Sequence, residues 1–486
     1  MNTEQKLNMT MLCDFYELTM GNGYFQAGYQ DRITYFDVFF RDVPDRGGFA
    51  ICAGLDQLID YILDLHFDQE DIAYLRGKQI FSEDFLTYLE NFRFTGDIWA
   101  IPEGTPIFPR EPVVTVRASA IQAQLIETFT LLCINHQSLI ATKANRIVRA
   151  AQGRTVLEFG SRRAQGTDGA ITGARAAFIG GCRGTACTIS DQLYAVPAGG
   201  TMAHAWVQTF DTQYDAFRAY CEIYPDNPVL LVDTYNTLKS GVPDAIRAFN
   251  DVLKPRGLTK CGIRLDSGDM AYLTRQARQM LDEAGWTECK ITVSNSLDEI
   301  IIQDLLIQGA QIDAFGVGER LITARSEPVF GGVYKLVAYE DDEGNVVPKI
   351  KLSENVSKIT TPQYKRVYRL FGNETGKAIG DWLCTYDEDV KSNCNPDGSL
   401  TIFDPDATWK KKTINNFTAK ELQKPIFVGG RLVYDMPSLE EIQQYCADQM
   451  ETMWDEVKRF DNPHNYYVDL SQKLWDIKYD LLTHNK

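Results

Sequence analysis

The feature that most constrains this chain is a series of short β-branched segments, each running into polar or glycine-rich residues, with helix-like stretches between them. The segments are TVLEF (155–159), VLLVDT (229–234), CGIRL (261–265), ITVS (291–294), IDAFGV (312–317) and GVYKLV (332–337). Between them, DAIRAFNDVL (244–253), YLTRQARQMLDEA (272–284) and LDEIIIQDLLIQ (297–308) read as helices. Strand, helix, strand in this rhythm implies parallel βαβ units. A barrel and an open doubly wound sheet both satisfy the pattern. The loops that follow, GSRR, DTYN, DSGD, NSLD and GVGE, tip the balance. A barrel builds its site from loops after many strands, whereas an open sheet concentrates its site at one switch point. An α/β barrel over residues 141–345 is therefore expected.

The flanks read differently. In the N-terminal part (1–140), TYFDVFFR (Thr34 to Arg41) and DIWAIPEGTPIFPREPVVTVRA (Asp97 to Ala118) read as β, and LDQLIDYILDL (Leu55 to Leu65) as an amphipathic helix. After residue 345 the rhythm stops. EDDEGNVVPK reads as an acidic hairpin turn, and KRVYRLF and VYDMPSLEEIQQYCADQM as further strand and helix. The 346–486 segment carries no recognisable chemistry and reads as support for the other two parts.

Composition narrows the function classes. A net charge of −17 disfavours nucleic acid and anionic membranes as partners. Small anionic substrates remain open, but they demand locally concentrated arginines. No apolar stretch is long enough to span a bilayer, and the start, MNTEQKLNMTMLCDFYEL, lacks the pattern of a signal peptide. Eleven cysteines without a CxxC pair suit buried thiols in a reducing cytoplasm. Five histidines, none at metal-ligand spacing, make a histidine-based metal site improbable.

The arginine demand is met at two strand ends. EFGSRRAQG puts Arg162 and Arg163 beside Phe159. A guanidinium fork can grip a carboxylate, and Phe159 can stack on a flat ring; a surface salt-bridge network is the plain alternative. GIRLDSGDM puts Arg264 and Asp266 on one side of a strand by alternation, which suits an anion and either a sugar hydroxyl or Mg²⁺. DSGD is equally good turn chemistry. SNS (294–296) and FGVGER (315–320) can present backbone N–H groups to phosphate, although such turns also occur without ligands. His204, in PAGGTMAHAWVQTF, is either a structural histidine or a nucleophile approached across a small-residue turn. The usual phosphate-loop, dinucleotide and hydrolase-elbow motifs do not occur.

As an ordered set, DFYELTM, FRDVP, GGFAICAGL, EGTPIFPREPVV, EFGSRRAQG, GGTMAHA, LVDTYNT, IRLDSGDM, SNSLDE and FGVGERL resemble the nicotinate phosphoribosyltransferase family over about residues 10–340. The resemblance implies an irregular α/β barrel of phosphoribosyltransferase type beside a mixed α+β domain formed from both chain ends. It implies a homodimer with shared active sites, and as substrates nicotinate, phosphoribosyl pyrophosphate and ATP, with Mg²⁺. Carried over by motif, Phe159 stacks on the pyridine ring and Tyr16 covers its other face from the partner chain. Arg264, Thr201 and Arg162 lie around the nicotinate carboxylate. Asp233 and Asp266 serve the ribose side, directly or through Mg²⁺. Asn295, Gly316 and Gly318 hold the 5′-phosphate, and Arg325 and Lys335 reach the phosphates of the neighbouring site. His204 matches the histidine that ATP phosphorylates; with Asp266 and Arg264 it makes up the expected catalytic set. Two positions bear on specificity. Many relatives carry Thr or Ser after FGVG, whereas this chain has Glu319. Nicotinamide-using relatives have an acidic acceptor where RGTACT has Ala186. A nicotinamide enzyme and a non-catalytic phosphate-binding sensor are the competing readings.

Overall fold

The computed structural model describes residues 8–355 and 358–484. The first seven residues, part of the stretch where no leader was expected, lie outside the described residues. The chain forms two compact units: Ile140–Pro328, and Met1–Leu139 together with Val329–Lys486.

The Ile140–Pro328 unit carries the βαβ rhythm. Its strands are β1 (Thr155–Glu158), β2 (Val229–Leu231), β3 (Gly262–Leu265), β4 (Lys290–Ser294) and β5 (Ala314–Val317). They pair in the order β1-β5-β4-β3-β2, every pair parallel. Val156, Leu230, Ile263, Leu265, Ile291, Val293, Phe315 and Val317 are all buried, as expected for strands covered on both faces. The intervening helices include Met270–Glu283 and Glu299–Ile307, close to the sequence expectation. The expected helix over 244–253 is α-helical only to Ala248 and continues as a π turn, Phe249–Leu253.

Beyond β1, two single-residue parallel bridges, Glu158↔Thr185 and Thr185↔Ala198, extend the sheet. At its other end, His204 Nδ1 lies 3.0 Å from Thr234 Oγ1, just past β2. The series from Ala198 to β2 thus meets its own beginning through a side-chain hydrogen bond. The ladder itself stays open, and the arrangement is compatible with an irregular barrel. Parallel pairing puts every strand's C-terminal end at the same edge, which gathers the decorated loops.

One π turn matters locally. Thr237–Gly241 follows β2, and a side chain at Gly241 would collide with the Val232 carbonyl oxygen. Glycine there lets the chain pack directly against the segment that carries Asp233.

The other unit contains a seven-stranded sheet drawn from both chain ends. Its order is Val346–Pro348, Val333–Glu340, Ile33–Phe39, Val114–Ser119, Asp97–Ala100, Lys424–Val428 and Arg431–Leu432, all neighbours antiparallel. GVYKLV belongs here. It pairs antiparallel with Ile33–Phe39 and does not join the parallel set, so residues 329–345 fall outside the unit that holds the parallel strands. Strand composition does not encode the direction of pairing, and that is why the run looked like another barrel strand. The acidic turn EDDEG closes the expected hairpin between Val333–Glu340 and Val346–Pro348. A second sheet, Phe417–Glu421, Lys365–Gly372, Ala378–Thr385 and Val468–Leu470, packs Leu370, Trp382, Cys384, Ile402 and Ile414 into its own core.

Candidate active site

The strand ends of the Ile140–Pro328 unit converge on Arg264 and Asp266. Arg264, second to last in β3, donates from Nε to Ser294 Oγ (2.8 Å), from Nη1 to Thr201 Oγ1 (3.1 Å) and from Nη2 to Asp266 Oδ1 (3.0 Å). Ser294 Oγ donates in turn to the same Asp266 oxygen. Asp266 is held from below, because its backbone N–H donates to Asp233 Oδ2 at 2.8 Å; Ser267 Oγ does so at 2.7 Å. Asp233 Oδ1 is buried and has no hydrogen-bond partner.

His204 opens a short helix after the GGT turn. Its Nε2 lies 3.9 Å from Asp266 Oδ2, and its Nδ1 is tied to Thr234. The imidazole therefore stands between the ends of β2 and β3. Asn295 donates to the Asp266 carbonyl at 2.9 Å. Asn295 and Ser296 both adopt positive φ (81° and 52°), a strained turn for non-glycine residues and typical of ligand-binding loops.

Phe159 follows β1, with its backbone N–H on the Val317 carbonyl at 2.8 Å. Its ring lies so close to Gly316 that a Cβ there would stand 2.5 Å from Phe159 Cδ2. The Arg264 guanidinium carbon is 5.5 Å from the ring centroid. Behind the ring, Glu158 is fully buried; it accepts from Thr185 Oγ1 at 2.6 Å and from the Gly160 N–H. Burial pushes its carboxyl above the usual carboxylate range. Arg162 is exposed on the 3₁₀ turn Ser161–Arg163, which Gly160 separates from Phe159. Ala186 is exposed and its N–H bonds the Glu158 carbonyl, one residue before Phe159.

Gly318 follows β5 directly. Glu319, the residue that departs from the family pattern, turns its carboxylate to Arg325 at 2.9 Å. The unit thus assembles Phe159, Thr201, His204, Asp233, Arg264, Asp266, Asn295 and Gly316, with Arg162, Gly318 and Arg325 on loops of the same unit.

Tyr16 and Lys335 belong to the other unit. Tyr16 lies on the helix Phe15–Gln26, partly exposed. Burial and the neighbouring Glu127 push its phenol up. Lys335 Nζ is 4.0 Å from the same Glu127, and burial lowers its ammonium while Glu127 raises it. The two residues therefore share one carboxylate.

The sequence marks SNS (294–296) only as a turn able to present backbone N–H groups and Ser267 only as part of DSGD, and it gives no role to Thr234; the hydroxyl contacts of all three come from the fold. Strand alternation puts Ser294 on the face of Thr292, and Thr234 and Ser267 adjoin Asp233 and Asp266. Nothing in the spacing, however, says which hydroxyl meets which partner. Among the described residues, no group of three or more His, Cys, Asp or Glu side chains stands ready to cage a metal.

The comparisons with known proteins agree with this architecture. Residues 11–135 match the N-terminal domain of nicotinate phosphoribosyltransferase, and residues 364–478 match its C-terminal domain. These matches flank the parallel unit, and full-length relatives span it. Nicotinate phosphoribosyltransferase of Bacillus subtilis (strain 168) is 43% identical over 473 residues, covering 97% of this chain and 94% of its own length. A Mycobacterium tuberculosis nicotinate phosphoribosyltransferase is 37% identical, with coverage of 96% and 92%. The crystal structure of human nicotinic acid phosphoribosyltransferase superimposes with a TM-score of 0.84 at 26% identity, over 96% of this chain and 99% of that one. The chain belongs to the nicotinate phosphoribosyltransferase family.

Proposed function

We propose that this protein joins nicotinate to 5-phosphoribosyl 1-pyrophosphate, giving nicotinate mononucleotide and pyrophosphate, with ATP hydrolysis driving the step. The observation that carries the reading is the Arg264–Thr201–Ser294–Asp266 network set beside an aromatic ring and a histidine at the edge of one parallel sheet.

Phe159 stacks on the pyridine ring while Arg264, Thr201 and Arg162 receive its carboxylate. The ring nitrogen is already nucleophilic, so no general base is needed. It attacks C1′ as pyrophosphate leaves, and the C1′–O bond breaks with oxocarbenium character. Catalysis then rests on positioning and on charge stabilisation. Asp233 and Asp266 face the ribose, and Asn295, Gly316 and Gly318 its 5′-phosphate. Arg325 and Lys335 serve the phosphates of a neighbouring site in a homodimer, and Tyr16 of the second copy closes the base pocket.

The residues present fit Mg²⁺. Asp233 Oδ1 is a buried acceptor without a partner, and the Asp266 carboxylate is the next one along. One or two carboxylates with water and substrate phosphates filling the rest is the usual magnesium arrangement. When bound there, the ion would neutralise charge on the pyrophosphate.

His204 takes the γ-phosphoryl group of ATP, forming an N–P bond as ADP leaves; water later releases phosphate. Thr234 and Asp266 orient the ring. The cytoplasm is the proposed location, in keeping with eleven free cysteines.

The test is ATP hydrolysis and nucleotide formation with nicotinate and phosphoribosyl pyrophosphate. His204→Ala should abolish ATP hydrolysis and acid-labile phosphate labelling, while a slow ATP-independent transfer survives. Undiminished labelling of the variant refutes the assignment of His204. Binding without turnover by the wild type refutes the enzyme reading in favour of a sensor.

A further inference from the structure

Ser294 is 2% exposed, and its hydroxyl is the only group that touches both Arg264 Nε and Asp266 Oδ1 among the hydrogen bonds of the described residues. A guanidinium has five N–H donors. Three are committed, to Ser294, Thr201 and Asp266, which leaves two for a ligand. Arg264 lies in β3 and Asp266 just past its end, two residues on, and their preferred union is a two-bonded fork from Nε and Nη2 onto the carboxylate. The Ser294 hydroxyl stands between Nε and Asp266: it accepts from the first and donates to the second. It thereby limits the Arg264–Asp266 pair to one direct bond, and it fixes the plane in which the two remaining N–H groups lie.

We infer that Ser294 is a positioning residue that sets the preference for a carboxylate-bearing base, by keeping Arg264 from collapsing onto Asp266. The inference rests on the reading that Arg264 receives the nicotinate carboxylate. Without the hydroxyl, Arg264 forks onto Asp266, the ion pair neutralises itself, and the pocket loses the charge that favours an acid over an amide. The conservative change Ser294→Thr retains the hydroxyl, and threonine is at home in a strand.

The experiment compares kcat/KM for nicotinate and nicotinamide in the wild type, Ser294→Ala and Ser294→Thr, with thermal melts of all three. A hydrogen bond to a charged group corresponds to roughly 10-fold or more. Ser294→Ala should lower the nicotinate-to-nicotinamide ratio by about that factor, chiefly through KM for nicotinate, and Ser294→Thr should restore it. A ratio unchanged in Ser294→Ala overturns the inference, as does a Ser294→Thr protein no better than Ser294→Ala, because the hydroxyl is then not what matters. A wild type that uses both bases equally refutes the reading of the base itself, and this inference falls with it.

Discussion

Gly316→Ala isolates the role of the Phe159 ring. The added Cβ would stand 2.5 and 2.6 Å from Phe159 Cδ2 and Cε2, and 3.4 Å from Cγ. Carbon atoms rest about 3.5–4.0 Å apart, so the ring must retreat by about 1 Å. The Phe159 backbone is pinned by its bond to Val317, so the side chain must do the moving. Overpacking of this kind costs about 1–3 kcal/mol. Phe159 is only half-buried and can swing outward, which puts the stability loss at the low end, about 1 kcal/mol. A displaced ring forfeits its stacking on the base, about 0.5–1.5 kcal/mol. At about 1.4 kcal/mol per tenfold, kcat/KM for nicotinate should fall roughly 2- to 13-fold. The Gly316 N–H survives the substitution, so KM for phosphoribosyl pyrophosphate should hold steady. Steady-state kinetics with each substrate varied, alongside a thermal melt, reads all three quantities. A nicotinate kcat/KM equal to wild type, or a rise confined to KM for phosphoribosyl pyrophosphate, would refute the argument.

Four further outcomes are expected. Wild-type protein should strongly prefer nicotinate, and Ala186→Asp should narrow the kcat/KM ratio by repelling the acid and accepting from the amide; a wild-type ratio near one would count against the charge argument. Tyr16→Ala and Arg264→Ala proteins should each be nearly inactive yet recover activity when mixed, because one site of the mixed dimer keeps both residues; no recovery after verified subunit exchange would put Tyr16 outside the partner's site. Glu319→Thr frees Arg325 from an exposed ion pair worth about 0.2–1 kcal/mol, so KM for phosphoribosyl pyrophosphate should drop roughly 1.5- to 5-fold, and an increase would contradict it. Burial holds the Glu17 carboxyl up at about 7 against its ordinary value of 4.5, so the folded state keeps a proton that the unfolded chain releases. Stability should therefore be greatest below about pH 4.5 on this account and be lost as pH rises to about 7. Glu17→Gln should flatten that dependence in melts taken between pH 5 and 8, and parallel wild-type and variant profiles would exclude it.

The sequence by itself determined the βαβ rhythm, and with it a parallel sheet whose C-terminal ends carry the candidate site. Apolar runs and helical periodicity are local properties, and so is the i, i+2 spacing of Arg264 and Asp266 at a strand's end. The order of the motifs along the chain was enough to point to the family. The sequence could not say that GVYKLV leaves the parallel set, because a β-branched run pairs equally well in either direction and only the partner strand, Ile33–Phe39, decides. Nor could it say that Glu319 turns to Arg325, that Gly316 lies against the Phe159 ring, or that Tyr16 and Lys335 share Glu127. Ser294 shows the limit most clearly. Its bridge joins Arg264 in β3, Asp266 just past β3 and Ser294 at the end of β4, two strands brought side by side by ladder pairing. Hydrogen bonding depends on distances of a few ångströms between groups far apart in the chain, and only the tertiary fold sets those distances.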